Sequence, residues 1–329
     1  MVPQARRKTM DMTIFGRTGL KVSAAVLGAG GNSRLGLRRG GSEAEAIDLV
    51  RAALDRGINF IDTAPVYGTE EVVGAGVQGR RDSVIVATKA RCTVQGSSYE
   101  SSEFVAPGEM RRSVEASLKA LRTDHIDILQ LHGVRPNQYE FCRDELLPEL
   151  LQLRDEGKLR FLGVTESFGI DGEHKVAQSA VADGVWDVLM LGCNFVNPSI
   201  AHFVLPQAIE KNIGIMAMYA VRGALARKET LDSLVAKLVE KGEVPPDLLD
   251  AEDPLGFLLE NGVAGSLTEA AYRFCRHVPG IGVVMTGTGS LAHLEDNIAA
   301  INGAPLPAAV LDRLSAAFAN VTSATGDLD

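Results

Sequence analysis

Several features that mark large protein classes are scarce or missing in this chain. It has four cysteines, Cys92, Cys142, Cys193 and Cys275, and none forms a Cys-x-x-Cys pair. That spacing indicates neither a zinc ribbon nor a redox dithiol, and it fits free thiols in a reducing cytoplasm. No His-x-His occurs, and His125 and His132 are too far apart for a ligand pair at one strand end, which weighs against a metal-dependent hydrolase. Basic residues are in deficit, 33 Lys and Arg against 42 Asp and Glu, for a net charge of -9. This balance argues against nucleic acid or an anionic membrane as a general partner. No apolar run reaches the length of a membrane span. The run Gly28-Ala29-Gly30-Gly31 lacks the G-x-G-x-x-G spacing, because position 33 is Ser33. Asp48, about twenty residues on, falls in a helical pattern rather than at a strand end, so a Rossmann dinucleotide fold is disfavoured. Arg6 and Arg7 precede Lys8 instead of an apolar stretch, so residues 1–11 read as a solvated tail and not an export signal.

What remains is ample apolar material, 46% of 329 residues, which fits one large domain spanning 1–329 as well as two smaller ones. Residues 12–22 predict a small hairpin around Gly16-Arg17-Thr18-Gly19. Ser42 and Glu45 form a capping box ahead of an apolar stripe that ends at Gly57. A helix–glycine–strand joint then recurs at Gly157, Gly184 and Gly214, the stripe before Gly214 running through 200–209. Apolar runs at 24–27, 58–61, 84–88, 126–131, 159–164, 186–191, 213–218 and 281–285 alternate with helical patterns. Continuous apolar strands between helices imply a parallel sheet covered on both faces. Repetition of such units suggests a closed (β/α)8 TIM barrel, with a doubly wound open sheet as the competing architecture. The connection 219–265 is too long for an ordinary loop and predicts an extra helix near 230–240, then a break at Pro245-Pro246. Leu311, Leu314 and Phe318 mark a terminal helix, and 321–329 read as disordered.

Chemistry concentrates where strands end. Asp62 closes the run 58–61, with Tyr67 just beyond. Lys89 follows 84–88, and His132 follows 126–131. In a parallel barrel these ends open on one face. A lone Asp, Lys, Tyr or His in such a place is more often a turn former, a solvated charge or a packing group. Recurrence at equivalent points of successive units favours a shared site. A free phenol, with a pKa of about 10, is a poor proton donor near neutrality, and a neighbouring ammonium lowers that value. Lys89 can do this for Tyr67, Asp62 can hold Lys89, and a neutral His132 can donate to a carbonyl oxygen. The set suits carbonyl reduction, with Tyr67 delivering the proton. Small residues Gly287, Thr288, Gly289 and Ser290 open a further helix and suit a phosphate. The plainer reading is a Gly/Ser-capped helix.

At this point the sequence resembles the aldo-keto reductase superfamily, over roughly residues 12–302. The resemblance rests on Gly16 to Ser23, Asp62-Thr63-Ala64 with Tyr67-Gly68 and Glu70-Glu71, Thr88-Lys89, Ser117 to Leu121 with Asp127, Leu131-His132, Gly163-Val164-Thr165, and Gly287 through Asn297. It implies a catalytic set of Asp62, Tyr67, Lys89 and His132, with Tyr67 the general acid. It also implies NADP(H) as favoured cofactor, with NAD(H) the alternative, bound without a Rossmann fold. Thr165-Glu166 stand where the family has Ser-Asn, and Met190 where it has Gln. The nicotinamide-stacking aromatic is displaced to the region of Met218 and Tyr219. Glu166 is expected to accept from the nicotinamide amide. No Lys or Arg lies near Gly287 to Gly289, so His293 is the candidate for adenosine, with Asp296 and Asn297 in the same segment. Arg222 or Arg227 is the candidate for a phosphate.

The resemblance therefore implies a cytoplasmic NAD(P)H-dependent reductase of a small aldehyde or ketone. The alternative is a cofactor-binding regulatory protein on the same barrel. Substrate choice is assigned to the loops 91–107, 133–142 and 219–230, with Tyr99 and Phe104 as candidate lid aromatics.

Overall fold

The computed structural model describes residues 10–250 and 252–327. A short hairpin, β1 (Met12–Ile14) and β2 (Lys21–Ser23), comes first. The next strands are β3 (Ala25–Gly28), β4 (Phe60–Asp62), β5 (Ile85–Ala90) and β6 (Ile126–Val134). They are followed by β7 (Leu159–Glu166), β8 (Val188–Gly192), β9 (Gly214–Met218) and β10 (Val283–Thr286). These eight strands form one closed barrel in the order β10-β3-β4-β5-β6-β7-β8-β9. The open-sheet alternative fails because β10 pairs in parallel with both β9 and β3.

Strand alternation explains both the core and the site. Val26, Phe60, Ala87, Ile128, Val188, Met216 and Val283 point inward and pack as one interior cluster. Side chains two residues further along a strand share that face. The next inward level therefore holds Gly28, Asp62, Lys89, Gln130, Met190, Met218 and Met285. The hairpin closes the opposite end of the barrel. Phe15, Leu20 and Val22 join the interior cluster. Phe15 lies so close to Gly214 and Gly282 that an added Cβ at either would sit 2.9 Å from its ring.

Helices cover the outside. The first, Glu43–Asp55, starts on the expected capping box: Ser42 N donates to Glu45 Oε2 at 2.7 Å, and Glu45 N donates back to Ser42 Oγ at 3.3 Å. The extra helix is Lys228–Glu240, and the terminal one is Ala308–Phe318. The helix expected over 200–209 is broken into Ile200–Phe203 and Leu205–Glu210, because Pro206 disfavours helical backbone beside it. No helix of the described residues is long and apolar enough to cross a membrane.

Both expected tails need correction where they are described. Met10 is buried and Asp11 N donates to Asn302 Oδ1 at 3.0 Å, while residues 1–9 lie outside the described residues. Residues 321–327 are tied down rather than disordered. Val321 and Ala324 are buried, Asn197 Nδ2 donates to Ala324 O at 2.9 Å, and Asn194 Nδ2 donates to Thr325 O at 3.1 Å. Residues 328 and 329 lie outside the described residues.

Candidate active site

The side chains that end β4, β5 and β6 meet at one mouth of the barrel. Asp62 and Lys89 are buried, and Lys89 Nζ donates to Asp62 Oδ2 at 2.5 Å and to Thr63 O at 2.9 Å. Lys89 Nζ lies 5.0 Å from the centre of the Tyr67 ring. Tyr67 Oη is 3.3 Å from His132 Nε2, and the two rings meet edge-on with centroids 5.6 Å apart. The four candidate catalytic residues are thus one connected group. Tyr67 comes from a 3-10 turn, Pro65–Tyr67, whose proline at the first position presets the backbone.

The electrostatics of the group follow from burial and from one ion pair. Burial raises the Asp62 pKa, with Lys89 opposing. For Lys89, burial alone would lower the pKa, but Asp62 and Tyr67 outweigh it and hold the ammonium charged. Burial, then Lys89 and Arg91, hold His132 well below its ordinary value, so the ring is neutral. Tyr67 departs from the sequence expectation. Lys89 does pull its pKa down, but burial is larger and the net direction is upward. The phenol is therefore protonated at neutral pH, and Lys89 is the charge that opposes its upward shift.

Beside this group opens a cavity of about 950 Å³. Asp62 and Tyr67 of this group line it together with Met190 and Met218, and Gly287, Thr288, Gly289, His293, Asp296 and Asn297 line it elsewhere. Tyr219 and Arg222 also line it. Tyr219 has a left-handed backbone, φ 66°, a costly state for a non-glycine residue. Arg222 stacks on its ring at 3.6 Å and pairs with Asp327 at 3.4 Å. Thr288 Oγ1 accepts from Ser290 N at 3.0 Å in the turn that leads into the helix Leu291–Ile301. Ser290, at the N-cap position, makes no side-chain capping hydrogen bond and does not line the cavity. Asn297 reaches the wall but gives Nδ2 to Thr286 Oγ1 at 2.7 Å.

Neither of the two residues at the end of β7 expected to meet the nicotinamide lines the cavity. Thr165 shares the inward face with Phe161 and Gly163, and its Oγ1 accepts from Gly133 N at 2.7 Å. Glu166, one residue on, points to the opposite face. Its side chain is buried, takes His174 Nδ1 at 2.9 Å, and accepts from Gly192 N at 2.7 Å. His174 Nε2 in turn meets Ser199 Oγ at 3.0 Å. The expectation that Glu166 accepts from a cofactor amide is corrected accordingly: its carboxylate is spent on a buried network outside the cavity.

Other residues of the site escaped the sequence reading. Gln130 Nε2 reaches Asp62 Oδ1 at 3.4 Å, and its place two residues before His132 on the inward face was the available signal. Gly30 lies under the Tyr67 ring, where an added Cβ would stand 2.6 Å from Cε2. Phe104, a candidate lid aromatic, instead stacks on Phe141 at 4.1 Å. Glu70 and Asp127, both part of the motif set, are structural. Glu70 accepts from Thr88 Oγ1 at 2.6 Å, and Asp127 accepts from Val86 N at 3.0 Å and pairs with Arg81 at 2.8 Å.

Tyr67 lines one wall of this cavity and the glycine-rich start of the helix Leu291–Ile301 lines another, an arrangement that suits a nicotinamide dinucleotide. Comparison with known proteins agrees. Residues 26–318 match the model of the aldo/keto reductase family. L-galactose dehydrogenase of Arabidopsis thaliana is 32% identical over 306 residues, covering 89% of this chain and 88% of that protein. Aldo-keto reductase YhdN of Bacillus subtilis is 30% identical, covering 87% of each. Among solved structures, aldo-keto reductase AKR11C1 from Bacillus halodurans superposes with a TM-score of 0.69 at 21% identity, covering 96% of this chain and 98% of that one. The match along most of the barrel places this chain in the aldo/keto reductase family.

Proposed function

We propose that the protein interconverts a carbonyl and an alcohol with a nicotinamide cofactor, Tyr67 being the general acid in reduction. The observation that carries this reading is the connected group Asp62–Lys89–Tyr67–His132 beside one cavity. When bound, the cofactor supplies or takes up the hydride. His132, neutral, donates from Nε2 to the carbonyl oxygen as negative charge gathers there. Tyr67 transfers its phenolic proton to that oxygen. Lys89 stabilises the phenolate that remains, and Asp62 keeps Lys89 charged and aimed. In oxidation the same phenolate takes the alcohol proton back.

Met190, Met218 and Tyr219 would meet the nicotinamide end, and Gly287, Thr288, Gly289, His293 and Asp296 the adenosine end. NADP(H) is the favoured cofactor, since Arg39 and Arg222 line the cavity and supply cations for phosphate, and NAD(H) is the alternative. The relative named as a sugar dehydrogenase puts hydroxylated carbonyl compounds first in a substrate panel. Four free, buried cysteines suit a reducing cytoplasm.

The test is titration with NADPH and NADH by fluorescence, then oxidation of the bound dinucleotide with 4-nitrobenzaldehyde, methylglyoxal and a series of aldoses. Tyr67→Phe is expected to bind cofactor like wild type and to lose turnover. Wild-type turnover by this variant overturns the assignment. Tight binding without turnover across the panel favours a regulatory protein instead.

A further inference from the structure

The loop after β5 brings a second phenol to the candidate catalytic histidine. Tyr99 Oη lies 3.2 Å from His132 Nδ1, while Tyr67 Oη lies 3.3 Å from Nε2. Both tyrosine rings meet the imidazole edge-on, with centroids 5.6 Å away. Tyr99 is firmly seated. Arg91 stacks on its ring at 4.1 Å and donates from Nη2 to Thr93 Oγ1 and Ser97 O, each at 2.8 Å. Gln138 Nε2 donates to Tyr99 O at 2.7 Å. Gly133 has φ 62° and leaves the ring its space, since an added Cβ there would stand 3.3 Å from Tyr99 Cε1.

A neutral imidazole has one N–H and one bare nitrogen, and its hydrogen-bond partners decide which is which. With the proton on Nδ1, the bare Nε2 accepts from Tyr67 and draws the phenolic proton away from a substrate. With the proton on Nε2, that N–H donates to Tyr67 Oη or to a carbonyl oxygen, and the Tyr67 proton stays available. The second state needs a donor facing Nδ1, and the Tyr99 hydroxyl is placed there. We propose that Tyr99 is a positioning residue for carbonyl reduction: its hydroxyl donates to His132 Nδ1 and holds the ring as the Nε2–H tautomer, which directs the Tyr67 proton to the substrate. This rests on the reading of the site as a carbonyl reductase. The sequence marked Tyr99 only as a lid aromatic, and its hydroxyl has a more specific use.

The tautomer can be read directly from the protein labelled with ¹⁵N-histidine. His132 of the wild-type protein is expected to show a protonated Nε2 and a bare Nδ1. Tyr99→Phe keeps the ring contacts and loses only the hydroxyl. It should give a mixed tautomer and a kcat for reduction lower by about tenfold, the worth of one hydrogen bond in a transition state. The KM for cofactor should be unchanged. The charged and titratable groups facing the ring are Tyr67, Lys89, Arg91 and Tyr99. With Nδ1 freed to take a proton, the acid limb of kcat should move to higher pH. A wild-type ring protonated on Nδ1 overturns the proposal without any variant. So does a Tyr99→Phe protein with the same tautomer and the same kcat. If neither protein reduces a carbonyl while the tautomer responds as described, the reductase reading fails and the role of Tyr99 toward the ring stands.

Discussion

Gly30 is the most exacting test of the site, because it touches no charge and donates nothing. It lies two residues past β3, just before the turn 31–33, and its backbone is not left-handed, so alanine meets no conformational penalty there. The obstacle is steric. A Cβ at this position would stand 2.6, 2.7 and 2.8 Å from Cε2, Cζ and Cδ2 of Tyr67, against roughly 3.5–4.0 Å for a relaxed carbon pair. The contact is with the body of the ring and not a flexible tip. Relief requires the ring to move by about 1 Å, which breaks the 3.3 Å approach to His132 Nε2. A displacement of that size at reacting groups costs about a hundredfold in rate, equivalent to about 2.7 kcal/mol of barrier. Overpacking should add about 1–3 kcal/mol of destabilisation. Gly30→Ala is therefore expected to lower kcat/KM for 4-nitrobenzaldehyde by about a hundredfold and to shift the urea midpoint downward. Gly169→Ala, with open space around its Cβ, serves as control and should alter neither. A Gly30→Ala protein with wild-type rate and midpoint would refute the placement of Tyr67 and the chemistry built on it.

Replacing Lys89 with Met leaves the buried Asp62 carboxylate without its cation, and urea unfolding should show a loss of about 3–5 kcal/mol. Adding Asp62→Asn should recover much of that stability and none of the activity, whereas a fully stable Lys89→Met protein would show that the ion pair is not buried as described. The pH dependence follows from Tyr67 and His132. In the proposed mechanism reduction needs the protonated phenol, whose pKa is raised by burial above its ordinary value of about 10. The rate of reduction should therefore hold from neutrality to about pH 10 and fall beyond it. Oxidation needs the phenolate, so it should rise toward the same limb. A reduction rate that falls with a midpoint near pH 7 would contradict this.

Local pattern carried far in this chain. Apolar runs, half of them behind glycine joints, located the barrel strands within a residue or two, except that β6 runs three residues further, because a strand buried on both faces must be apolar throughout. Asp62, Lys89 and His132 were legible as residues ending such runs, and parallel strands leave their ends on one side. Alternation also decides that Thr165 faces inward and Glu166 outward, and the expectation for Glu166 failed by following motif position instead of strand parity. Repetition suggested closure of the sheet but did not separate it from an open one, since pairing of β10 with β3 joins distant segments and no local period records it. The same holds for Tyr99 on His132, for Glu166 on His174, and for residues 321–327 laid against Asn194 and Asn197. Each joins a loop or terminal segment to another element, and loop conformation is set by the partners a segment finds rather than by its own repeat. Sequence thus determined which face each strand residue takes, and the tertiary structure alone decided what the loops place against that face.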